Sequence, residues 1–151
     1  MKKVLHSLLP VALVAGSLAL IPACRESTGL NRPVVRVPPG EEFTLQVGQS
    51  RIVDGLNVEI GFDRVTGDSR CPRDVYCFWE GAAGLRMWLR PQAANRVAFD
   101  LEMPGLTERA NVSRVVAGYR VSLFALAPYP ASGVVIPPKA YRATLSVSAA
   151  N

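Results

Sequence analysis

The chain has 151 residues, 17 basic and 12 acidic side chains, a net charge of +5 and a single histidine. That length suffices for one domain with its own core. The basic residues are scattered rather than clustered, so the patch that phosphate binding needs is missing and no nucleic-acid partner is expected. The chain opens on Met1-Lys2-Lys3, runs apolar from Val4 to Ile21 and reaches Ala23 just before Cys24. A short basic head, an apolar stretch and a small residue at its end read as an export signal. Pro10, Gly16 and the cysteine beyond the run argue for a processed peptide rather than a membrane span.

A secretory signal peptidase requires small residues one and three positions before its cut, and Ile21 fits poorly at the second of these. Ile21-Pro22-Ala23-Cys24 resembles instead the lipobox of bacterial lipoproteins, with Pro22 departing from the usual small or β-branched residue. The alternative is a plain signal peptide followed by a free cysteine. The resemblance implies that residues 1–23 are removed and that Cys24 carries lipid as the new N-terminus. Arg25, where an aspartate would retain the protein, implies passage to the outer membrane, facing the periplasm. Acyl chains would hold it there through about 0.8 kcal/mol per buried CH₂. Residues 24–42, polar and broken by proline, read as the lipidated N-terminus and tether.

Loss of residues 1–23 takes with it His6, Lys2 and Lys3, leaving fifteen basic residues against twelve acidic ones and Lys139 as the sole lysine. Fourteen of those fifteen are arginines, a bias that fits a GC-rich genome better than a nucleic-acid surface. Of three cysteines, one is assigned to lipid, and Cys71 and Cys77 remain as an even pair in an oxidising compartment. A disulfide between them is expected.

From residue 43 to 148 the pattern is that of a β domain, with 149–151 as a tail. Phe43–Val47 and Arg51–Val53 are short candidate strands, and Asp54-Gly55 is a two-residue hairpin signal. Leu56, Val58, Ile60 and Phe62 then alternate with polar residues. Leu85, Met87 and Leu89 share one face, with Arg86, Trp88 and Arg90 on the other. Val97, Phe99, Leu101 and Met103 form the next face, followed by the short run Val112–Val116. Tyr119, Val121, Leu123 and Ala125 line a further strand, and Tyr141, Ala143, Leu145 and Val147 the last. Seven or eight strands at this spacing predict an all-β fold, an antiparallel sandwich or barrel-like domain. The proline-rich stretch 128–139 is expected as a rigid surface excursion covering an edge strand.

Between two of these strands lies Asp68-Ser-Arg-Cys-Pro-Arg-Asp-Val-Tyr-Cys-Phe-Trp-Glu-Gly81. It resembles a segment shared by small exported bacterial proteins of unknown function, often lipoproteins. The matching positions are Asp68, Ser69, Arg70, Cys71, Pro72, Val75, Cys77, Trp79 and Gly81, while Glu80 stands where a small residue is expected. The resemblance covers about residues 43–148 and implies a small β-rich envelope domain without an established reaction.

A structural reading assigns Asp68 and Ser69 to bonds that tighten the turn and Pro72 to restricting the chain beside the bridge. Trp79 packs on the disulfide or the sheet in this reading, Gly81 takes a left-handed step, and Arg70 meets an internal carboxylate or carbonyls. A binding reading gathers Tyr76, Phe78 and Trp88 with Arg73, Arg86 and Arg90 in one exposed patch, since Tyr, Trp and Arg are enriched at interfaces.

Other chemistries fit less well. A nucleophilic triad lacks its histidine once the signal is gone, and nothing places Lys139 beside a serine. Two thiols are too few for structural zinc, and the C-x₅-C spacing is not that of a redox pair. No metal or other cofactor is expected. The competing enzymatic reading uses two of Glu59, Asp63, Asp68, Asp74 and Glu80 against an envelope polysaccharide, facing each other at about 5–10 Å. The same acids match no calcium loop. The favoured expectation is a lipid-anchored, non-catalytic envelope module that binds a protein or glycan partner or serves as a spacer.

Overall fold

The alternating runs assemble into two sheets that enclose one apolar core. The first sheet has the order β1 (Arg36–Val37), β3 (Ser50–Val53), β4 (Val58–Asp68), β5 (Ala82–Pro91) and β6 (Val97–Pro104). The second has the order β2 (Phe43–Gln46), β9 (Arg142–Ala149), β8 (Tyr119–Ala127) and β7 (Val112–Val116). This computed structural model describes residues 35–92, 94–105 and 107–150. The signal segment 1–23, Cys24 and the tether as far as residue 34 lie outside the described residues, as does Asn151.

All pairings are antiparallel except β1 with β3, so the domain is an all-β sandwich. Its inner faces come from the expected alternation: Val58, Ile60 and Phe62 on β4, Leu85, Met87 and Leu89 on β5, and Val121, Leu123, Leu145 and Val147 opposite. Burying each such side chain contributes about 1.5–3 kcal/mol, the gain that offsets chain entropy.

Four details depart from the sequence expectation. Val37 joins the core and pairs with Val53, so the β domain begins inside the stretch read as tether. At the other end β9 runs to Ala149 and the Ala150 N–H donates to the Gly118 carbonyl, which shortens the tail. Asp54-Gly55 opens a four-residue connection rather than a two-residue turn, with Gly55 and Asn57 at positive φ, so β4 starts at Val58 and not at Leu56. The two-residue turn lies instead at Ala117-Gly118, both left-handed at φ 50° and 82°, the twist that suits a tight hairpin.

The fourth departure is a set of register shifts. Two interrupt β4, at Asp63 and at Thr66, and one interrupts β8 at Phe124. Each extra residue turns the following side chains to the opposite face. Asp63 and Arg64 therefore stay in solvent, Val65 pairs with Leu85, and Asp68 arrives on the inner face opposite Ala83. In β8 the shift puts Leu126 rather than Ala125 in the core. Val97, expected inside, is exposed at the start of β6.

Candidate functional site

The inward turn of Asp68 creates an unusual interior at one end of the sandwich. The Asp68 carboxylate and the Arg70 guanidinium are 8% and 0% exposed. Arg70 donates to both carboxylate oxygens, from Nε at 2.8 Å and Nη2 at 2.7 Å. Its remaining N–H groups reach across to the second sheet, from Nη1 to the Leu126 carbonyl at 2.8 Å and from Nη2 to the Pro128 carbonyl at 3.1 Å. The Tyr141 hydroxyl completes the set by donating to Asp68 Oδ2 at 3.0 Å. Among the described residues no buried side-chain polar atom lacks a partner, the condition under which an internal charge is tolerated.

Ionisation follows from these contacts. Burial works to raise the Asp68 pKa, but the hydrogen bonds and positive charge of Arg70, with the Tyr141 hydroxyl, outweigh it and hold the carboxyl below its ordinary range. Burial, the bond to Asp68 and the negative charge of Asp68 push Tyr141 up to about 12. The Asp68 carboxylate stays ionised and the Tyr141 phenol stays neutral at physiological pH.

On this base stands the loop between β4 and β5. The strand ladder continues through Ser69 N–H to Ala82 O at 2.8 Å and Cys71 N–H to Glu80 O at 3.0 Å. Gly81 closes it at φ 66°, where a Cβ would collide with the Ser69 carbonyl, so only glycine fits. The Cys71 and Cys77 sulfurs are bonded, with Cα atoms 5.9 Å apart. Half-buried Pro72 follows the bridge.

A second loop, 128–141, runs beside the first, and its Lys139 carbonyl accepts from the Gln46 side chain on edge strand β2 at 2.6 Å. Arg73 N–H donates to the Pro130 carbonyl at 3.1 Å, and Asp74 Oδ1 accepts from the Ser132 N–H at 2.8 Å. The Tyr129 ring lies against two guanidiniums, 5.0 Å from that of Arg70 and 5.7 Å from that of Arg73. Arg73 also faces Glu108 at 3.9 Å. Residues 72–80 are thus held from below and from the side.

The first loop also exposes three aromatic rings. Tyr76, Phe78 and Trp79 are 107%, 89% and 75% exposed, Val75 is exposed next to Tyr76 in sequence, and Val134 and Val135 are exposed on the second loop. Phe78 and Trp79 meet edge to face with ring centres 4.8 Å apart. This corrects the expectation that Trp79 packs on the bridge or the sheet. The interior at this end is occupied by the Arg70 and Asp68 side chains, 0% and 8% exposed.

The single patch expected around Trp88 is divided. Arg73, Tyr76 and Phe78 are on the loop, but Arg86, Trp88 and Arg90 are on the outer face of β5, with Trp88 about 20 Å along the strand from Ala82. Trp88 is opposite Gly61, so close that a Cβ there would enter the indole, and Arg96 covers it at 3.8 Å from the ring centre. Arg86 pairs with Asp100 at 3.0 Å, and Arg90 pairs with Glu59. Arg90 also borders an open groove of about 420 Å³ with Arg36, whose charge is met by Asp54.

Four of the five carboxylates of the hydrolase reading are engaged separately. Glu59 takes Arg90 and the Ser50 hydroxyl, Asp63 takes Arg64, Asp68 is inside, and Asp74 caps Ser132 N–H. Glu80 is exposed on the loop, and Glu59 and Asp68 are nine residues apart on β4, about 30 Å. Among the described residues no group of three His, Cys, Asp or Glu side chains is placed to hold a metal ion. Comparison with family models, curated protein sequences and solved structures finds no match to this chain in any of the three.

Proposed function

We propose that the chain is an exported envelope protein, anchored by lipid on Cys24, whose β domain acts by binding through its loop end and without turnover. The observation that carries this reading is the combination of full exposure and restraint at Tyr76, Phe78 and Trp79. Apolar rings in water are ordinarily unfavourable and are ordinarily folded away. Here a disulfide, a buried ion pair and two inter-loop hydrogen bonds hold the loop that presents them. Restraint before contact lowers the ordering cost of association, and aromatic anchors supply most of the energy at interfaces. The basic head, the apolar run and Ile21-Pro22-Ala23-Cys24 support the anchor and an outer-membrane, periplasm-facing location.

Two measurements test the reading. Intact mass of the mature protein is expected to show Cys24 as an acylated N-terminus, and an unmodified cysteine or retained signal removes the anchor. Crosslinking in native envelopes followed by pull-down is expected to recover tip-dependent adducts that Phe78→Ser/Trp79→Ser abolishes. Equal recovery from that variant removes the loop end as the binding surface.

A further inference from the structure

We infer that the loop-end tip is a membrane-interface anchor: Tyr76, Phe78 and Trp79, with Val134 and Val135 from the neighbouring loop, enter the headgroup region of a bilayer. The inference deepens the binding reading by naming a lipid surface as its ligand, and it rests on the lipid-anchor reading for which bilayer that is.

The shape of the tip comes first. The three rings project from the loop with nearly their whole surface in water, so they present a protrusion rather than a cleft. A small ligand or a sugar is held in a concavity with directed polar groups. Most polar side chains of this loop are engaged, Arg73 with Pro130, Tyr129 and Glu108, Asp74 with Ser132, and Arg70 with Asp68 and two carbonyls, while Glu80 is exposed where the loop returns to β5. What Tyr76, Phe78 and Trp79 present outward is mainly ring area, which suits a lipid interface.

Composition points the same way. Trp and Tyr favour the headgroup level, where an amphipathic ring keeps one end dry and the other wet. The loop places a tyrosine, a phenylalanine and a tryptophan within four consecutive positions, 76–79, with Cys77 tied back to Cys71 between them.

Chain length and direction are compatible with the same bilayer. β1 runs parallel to β3, whose Val53 end faces away from the tip, so the chain enters β1 travelling away from the loop end. Eleven residues separate Cys24 from Val35, a reach of at most about 36–40 Å. From Glu59, level with the start of β1, to Asp68 at the loop end is about 30 Å along β4. A lipid on Cys24 and the tip therefore have access to one surface.

The test uses the two tryptophans of the chain, Trp79 on the tip and Trp88 beneath Arg96. The lipidated protein is placed in phosphatidylethanolamine/phosphatidylglycerol vesicles with lipids brominated along the acyl chain. Trp79 emission is expected to shift to the blue and fall at least twofold, and Trp79→Phe is expected to remove the quenching. In parallel, the unlipidated Cys24→Ser chain is expected to sediment with the same vesicles, and Tyr76→Ser/Phe78→Ser/Trp79→Ser to weaken that binding at least tenfold with an unchanged circular dichroism spectrum. Water-like, unquenched Trp79 emission from vesicle-bound protein overturns the inference, as does equal binding of the triple variant. Unquenched emission together with a tip-dependent protein adduct overturns the lipid ligand and leaves the binding reading standing. Absence of both quenching and adduct overturns both.

Discussion

Arg70→Met removes the cation from the interior while keeping a side chain of similar reach. Two bonds to Asp68 and one each to the Leu126 and Pro128 carbonyls are lost together. Asp68, 8% exposed, is left as a buried anion with Tyr141 as its remaining side-chain donor. Breaking a buried pair from one side costs about 3–5 kcal/mol, because the surviving charge keeps its desolvation penalty. For a domain of this size that is a fall in melting temperature of roughly 10–25 °C. Thermal melts at pH 7 read it directly. Asp68→Leu/Arg70→Met removes both charges and is expected to regain a large part of the loss. The native pair also leaves a pH signature. Since the Asp68 pKa is lowered on folding, its share of stability is present above the unfolded value near 3.8 and disappears as pH falls through the folded one. The single variant should lack that acid limb. A loss below about 1 kcal/mol, the range of an exposed ion pair, refutes this reading of the Asp68–Arg70 pair.

Other outcomes follow from the same structure. Tyr141 is raised to about 12, so its contribution is complete below the unfolded value near 10 and is lost as pH climbs through 12. Urea midpoints between pH 9 and 12 should fall more steeply for the wild type than for Tyr141→Phe. Gly61→Val drives a side chain into the Trp88 ring and is expected to cost about 1–3 kcal/mol, with a change in Trp88 fluorescence. Cys71→Ser/Cys77→Ser is expected to lose about 2 kcal/mol while remaining folded, and to become cleavable by protease within residues 72–79. Phe78→Ser/Trp79→Ser should stay within about 0.5 kcal/mol of the wild type in denaturant melts, because both rings are exposed.

Much of the sandwich was legible because strand alternation is a local property. Val58, Ile60 and Phe62, or Leu85, Met87 and Leu89, declare their face whatever they pair with. Features set by partners far along the chain were not. Nothing near Asp63, Thr66 or Phe124 marks a register shift, yet those shifts decide that Asp68 and Leu126 point inward. The two-residue strand at Arg36 is too short to show a period, and it exists because β3 offers an unpaired edge. The tryptophans exchanged their expected environments for the same reason. The cover over Trp88 comes from Gly61 and Arg96 on other strands and loops, and the exposure of Trp79 comes from an interior already filled by Arg70. The role of Arg70 toward a carboxylate and carbonyls could be framed from the loop sequence, but Leu126 and Pro128 as the acceptors required the fold.

The most direct measurement of the tip's role is site-specific photocrosslinking in native envelopes. A benzophenone amino acid at Tyr76 is compared with one at Val115, which is also exposed but on β7. The account predicts strong adducts from position 76, to phospholipid above all, and background from position 115. Equal labelling from both positions, or none from position 76, would contradict it.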